Sequence, residues 1–154
     1  MKKFTLPALL CAALLPGAAL ALPPVDQATG SGHITLNGEN RTFSFTAKTD
    51  IDGTSSGEAQ LQARQADNRL HMNIDCLVVS GNQATMSGTV TQSTDPAFEN
   101  SDFLFAVEDN GEGKKAPPDR LSLVFLFGTG SGVNCQNTAI APDTDIERGN
   151  IQVH

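Results

Sequence analysis

The chain has 154 residues, with 17 Asp and Glu against 10 Lys and Arg and a formal charge of −7 at pH 7. Such an acidic surface repels nucleic acid and anionic lipid, so neither is expected as a partner. The chain has no Trp and no Tyr, which removes the usual stacking platforms for sugars and bases.

Residues 1–21 read as a secretory signal. Lys2 and Lys3 form a positive start, Leu9 to Leu15 an apolar run, and Ala19-Leu20-Ala21 an A-x-A cleavage site. The uncharged run from Phe4 to Val25 is about long enough to span a bilayer. Pro7, Pro16 and Gly17 interrupt it, however, so no membrane span is expected once the signal is removed. Cys11 would suit a lipoprotein, but Leu10 stands where a small residue belongs. Cleavage after Ala21 predicts an exported chain, periplasmic or extracellular. Lys2 and Lys3 leave with the signal while every acidic residue stays, so the remainder is more acidic still.

Residues 22–31 contain Pro and Gly without periodicity and predict a loose lead-in; residues 32–154 suit a single domain. Within it, Ile34 and Leu36, then Phe43, Phe45 and Ala47, alternate with polar residues around Asn37-Gly38-Glu39-Asn40, the pattern of a hairpin. Ala59, Leu61 and Ala63 mark a third strand. The longest alternation follows: Leu70, Met72, Ile74, Cys76 and Val78, a break at Ser80-Gly81-Asn82, then Ala84, Met86 and Val90. All eight are assigned to one buried face.

Asp95-Pro96 breaks the chain, and Phe98 is expected to fold back on the core. Phe103, Phe105 and Val107 share one face of the next strand. Leu121 to Phe127 predicts the most apolar strand, with Leu121, Leu123, Phe125 and Phe127 inward. Val124 and Leu126 then make its other face apolar too, so that face is either covered or meets a protein partner. Ile151 and Val153 alternate in a last strand. About eight strands with no helical pattern after the signal predict an all-β fold, an antiparallel sandwich or small barrel.

Two cysteines, Cys76 and Cys135, remain after the cut, and an even count in an exported chain predicts one disulfide. The text Gly53-Thr54-Ser55-Ser56-Gly57 matches a nucleophile elbow, but no helix follows, so turn chemistry accounts for it. His33 and His71 fall on the outward phase of their strands and His154 ends the chain, so no catalytic or metal cluster is expected. The one cation candidate is the acidic glycine loop with Asp109, Asn110, Glu112 and Asp119, whose oxygens could serve Ca²⁺. Its alternative is turn chemistry, with Asp119 paired on the surface to Arg120 or Lys115.

Three blocks carry a resemblance. Cys76 to Gly88 follows C-L-x-V-x-G-N-x-A-x-x-S-G. Asp109 to Gly113, with Pro117 to Asp119 and Ser122 to Val124, follows D-N-G-E-G…P-P-D…S-L-V. Gly149 to Val153 reads G-N-I-Q-V. Together they resemble a group of small exported bacterial β-proteins without an assigned activity, and more distantly the post-COAP type of secreted β-domain. The resemblance implies a bacterial, exported, all-β domain and brings no catalytic residues. The expected role is therefore a non-enzymatic binding or cell-envelope module. One alternative is a carrier enclosing a small apolar ligand among Phe43, Phe45, Phe103, Phe105, Phe125 and Phe127. A more distant one is a hydrolase using His33 or His71.

Overall fold

The fold comes from a computed structural model that describes residues 24–113 and 115–154. The expected signal at 1–21 and Cys11 lie outside them. Ten antiparallel strands make one sheet: β1 (Asp26–Leu36), β2 (Glu39–Thr49), β3 (Ser55–Ala63), β4 (Asn68–Ser80), β5 (Gln83–Ser93), β6 (Asp102–Glu108), β7 (Arg120–Leu121), β8 (Phe125–Phe127), β9 (Thr144–Asp145) and β10 (Arg148–Val153). The order is β10-β1-β2-β3-β4-β5-β6-β7-β9, with β8 also paired to β6. The all-β expectation holds, with two-residue strands β7 and β9 raising the count from eight.

The first six strands form a meander, joined by short turns except between β5 and β6, where residues 94–101 include a 3-10 turn. Asn37 and Gly38 supply the positive φ angles, 53° and 80°, that a two-residue hairpin needs. The sheet curls until distant strands touch: Phe45 on β2 meets Phe105 on β6 edge to face, ring centroids 5.6 Å apart. Phe43 stacks beside Phe45 and Phe103 beside Phe105, and these four rings with Met72, Ile74, Met86 and Ile151 form the buried interior. Phe98, on a single 3-10 turn at Pro96–Phe98, packs on that core as expected.

Four sequence expectations need correction. The loose lead-in ends early, because β1 begins at Asp26, paired along its length with β2 and from Ala28 with β10. Its inward residues include Gly30, inside the stretch read as lead-in, and Gly32, and the two face Phe45 and Phe43 across the ladder.

The long alternation in β4 also changes phase. Ile74 pairs with Gly88 and Cys76 with Ser87, so Asp75 is an extra residue, a β-bulge. One extra residue moves every later residue of β4 to the other face, while Ala84, Met86 and Val90 on β5 stay buried as expected. Leu77 becomes buried, Val78 is 37 % exposed, and Cys76 points outward. Gly88 makes the bulge possible, since a Cβ there would collide with the Asn73 carbonyl oxygen.

The apolar run Leu121 to Phe127 is two strands. β7 and β8 both pair with β6, and the chain leaves the ladder between them, where the Ser122 side chain accepts the Ala106 N–H at 2.8 Å. The phase flips here too. Val124 and Leu126 pack on the core, whereas Leu123 and Phe125 are 37 % and 42 % exposed.

Finally, β6 is the strand covered on both faces. Phe103, Phe105 and Val107 point inward, while Leu104 and Ala106 are buried on the outer side. A second, thin layer lies over that side, made of the irregular chain after β8. The disulfide Cys76–Cys135 pins it to the outer face of β4, and Cys135 N–H donates to Ser87 Oγ at 3.0 Å.

Candidate functional site

The acidic glycine loop between β6 and β7 closes the curl. β10 is bonded to β1 on one side, and on its other side the acceptors come from carboxylates instead of a strand. Ile151 N–H donates to Asp119 Oδ2 at 2.8 Å, and Val153 N–H to Asp109 Oδ2 at 3.1 Å. The second oxygen of each is occupied as well: Asn110 N–H donates to Asp119 Oδ1, and Gly111 N–H to Asp109 Oδ1, both at 2.8 Å. The Asn110 amide donates to the Pro118 carbonyl, and Glu112 Oε1 receives the side-chain amides of Asn150 and Gln152.

The four residues singled out for Ca²⁺ are therefore brought together, but as a clasp facing backbone donors. Asp119 is only 6 % exposed and makes no surface pair with Arg120; that guanidinium bonds Asp145 at 2.8 Å, which raises its pKa. Among the described residues, no three His, Cys, Asp or Glu side chains are grouped to hold a metal.

The histidines lie apart. His33 on β1 faces Thr42 and Arg148, and His71 on β4 faces Gln60 and Gln92. Three strand spacings separate β1 from β4, about 14 Å along the sheet. Ser55 of the G-x-S-x-G text opens β3 directly after a turn closed by Gly53 N–H to the Asp50 carbonyl, so it sits in a hairpin. Of the six rings considered for a ligand cage, Phe43, Phe45, Phe103 and Phe105 stack on one another inside. Phe125 and Phe127 belong to β8, with Phe125 turned outward.

Two features escaped the sequence reading. Asp75, displaced by the bulge, shares a cleft with Asp102 beneath the 132–136 segment. Its pKa is raised, first by partial burial and also by the like charge of Asp102. The second feature is the outer side of β8. Among the described residues, Leu123 and Phe125 are two of five large apolar side chains left exposed, and β8 has no strand beyond it. The apolar run pointed to this region, but a strict period of two assigned its faces the wrong way round. The outward apolar surface expected at Val124 and Leu126 lies instead on the Leu123 and Phe125 side.

Comparison with protein families, with characterised proteins and with solved structures found no match.

Proposed function

We propose that this chain is an exported, non-enzymatic β-domain of a bacterial envelope that works by binding protein through the outer face of β8. One observation carries the reading: Phe125, 42 % exposed, stands beside Leu123 on a strand bonded along one edge only. The unpaired main-chain groups of an open sheet edge are a template for recognition by strand addition, and exposed apolar side chains beside them add contact area. The disulfide supports an oxidising compartment, where such a bond persists. The A-x-A site after Lys2 and Lys3 supports export into it.

The test has two parts. N-terminal sequencing of the chain recovered from the periplasm or medium should begin at Leu22; material retained in the cytoplasm with Met1 intact would refute export. Immobilised oxidised protein should capture a defined envelope protein or a second copy of itself, and Phe125→Asp should abolish that capture. Capture indifferent to Phe125→Asp would remove β8 as the binding face.

A further inference from the structure

We infer that the occupant of the β8 edge is a second copy of this chain, paired antiparallel about a twofold axis at Leu126. The inference rests on the proposed binding face and identifies what fills it. Three observations converge on self-pairing.

The first is the open edge. β8 is held to β6 by Asp102 opposite Phe127, Phe103 opposite Leu126 and Leu104 opposite Phe125. A further strand beyond β8 would continue the ladder and cover the unpaired edge.

The second is charge. With a net charge of −7, two copies repel one another over most of their surface. From Leu121 to Pro142, however, the chain carries no Asp, Glu, Lys, Arg or His. The nearest acid on β6, Asp102, is already engaged by the Ser131 N–H at 2.6 Å and its hydroxyl at 2.7 Å. A basic partner would find no carboxylate on the strand itself and, at its end, only Asp102 with Oδ2 already bonded by Ser131, whereas a second uncharged apolar strand meets β8 with no charge on either strand to oppose it.

The third is symmetry. A twofold interface requires a patch that complements itself. Phe125-Leu126-Phe127 reads the same in both directions. Antiparallel pairing centred on Leu126 sets each Phe125 opposite the second copy's Phe127, on the outward face. Aromatic cross-strand pairs of this kind stabilise a sheet beyond the area they bury.

Sedimentation equilibrium of the oxidised protein in its exported form, over a wide concentration range, tests this. The expected result is a monomer–dimer equilibrium. Phe125→Lys should weaken it about tenfold or more, a loss of about 1.4 kcal/mol per factor of ten. Combining F125K with F127E should restore it, because each new cation then faces an anion across the axis; no other register gives that rescue. Thr46→Lys, on the outer face of β2, should leave the equilibrium unchanged.

A chain that stays monomeric at every concentration overturns the inference. So does a dimer unmoved by Phe125→Lys, with thermal melting showing that the variant is folded. Should that variant fail to fold, Leu123→Lys at the exposed flank serves in its place, and an unaffected dimer again overturns the pairing. A monomer whose capture of another envelope protein depends on Phe125 would remove the self-pairing and leave the proposed binding face standing.

Discussion

Gly30 and Gly32 decide how the two largest rings of β2 are seated. A Cβ on Gly30 would lie 2.7 Å from a Phe45 ring carbon and 2.9 Å from Ile151 Cγ1, both side-chain atoms that can yield. A Cβ on Gly32 would strike the backbone oxygen of Arg148, which belongs to β10 and cannot turn aside. Gly30→Ala should therefore cost about 1–3 kcal/mol as overpacking, partly offset by the lower unfolded-state entropy of Ala. Gly32→Ala should cost more, because β10 must shift. Urea titration of the two variants checks the order, and a Gly32→Ala chain as stable as Gly30→Ala would contradict the packing described. Asp75 acts in the opposite sense. Burial, then the neighbouring Asp102, raises its pKa, so the folded chain holds that proton more tightly than the unfolded chain. Its charge thus opposes folding once pH rises above the ordinary carboxylate range. Asp75→Asn should raise the melting temperature at neutral pH. The gain should vanish below about pH 4, where the unfolded carboxyl is protonated too. A gain that persists unchanged in acid would assign the effect to something other than charge.

At the level of the strand, what matters is where a ladder stops and what replaces it. Among the described residues β10 has no strand on one side, and Asp119 and Asp109 supply carboxylate oxygens in place of carbonyls. An amide at position 119 keeps one acceptor oxygen and puts a second donor against a buried N–H. Asp119→Asn should therefore cost about 1–3 kcal/mol, the penalty for a buried donor left unsatisfied. Faster hydrogen exchange at the Ile151 amide should accompany it, and unchanged exchange there would show that the seam is held otherwise. Period-two patterning made β2, β3 and the first half of β4 legible, because each buries one face and carries no extra residue of its own there. It failed after Asp75 and after Leu121 for one reason: a residue that leaves the ladder inverts every later side chain of that strand, and the apolar alternation does not mark it. Gly88 was the available signal for the first inversion, since only a residue without Cβ fits against Asn73 there. The acidic loop was legible as a cluster of oxygens. Its partners were not, because Ile151 and Val153 offer backbone groups that no side-chain pattern encodes. The same inversion at Leu121 carried the apolar surface from Val124 and Leu126 to Leu123 and Phe125, and so moved the candidate binding face with it.

The molecule as a whole is a curled sheet with its rings inside and a thin cover on one flank. The inner core unites residues from β1 to β10, so its burial is shared by the whole chain. The cover is different: it follows β8, contains no long strand, and meets the sheet through Cys135, bonded to Cys76 and Ser87, and through Ser131 bonded to Asp102. Opening the disulfide releases a closure spanning 59 residues of sequence, for which chain entropy alone gives about 4 kcal/mol. Where that loss is felt depends on whether sheet and cover unfold together. The hydrophobic interior and the β1–β6 ladders do not pass through the sulfur atoms, so they should outlast the cover. Reduction, or Cys135→Ser, should lower global stability by about 2–5 kcal/mol. It should also accelerate hydrogen exchange first at the amides of Ser131 and Cys135, in the sub-global manner of a weakly held unit. Amides of β2 and β3 should keep their protection under the same conditions. If those strands exchange in step with Cys135, sheet and cover form one cooperative unit, and the disulfide supports the curl itself and not only the layer outside it.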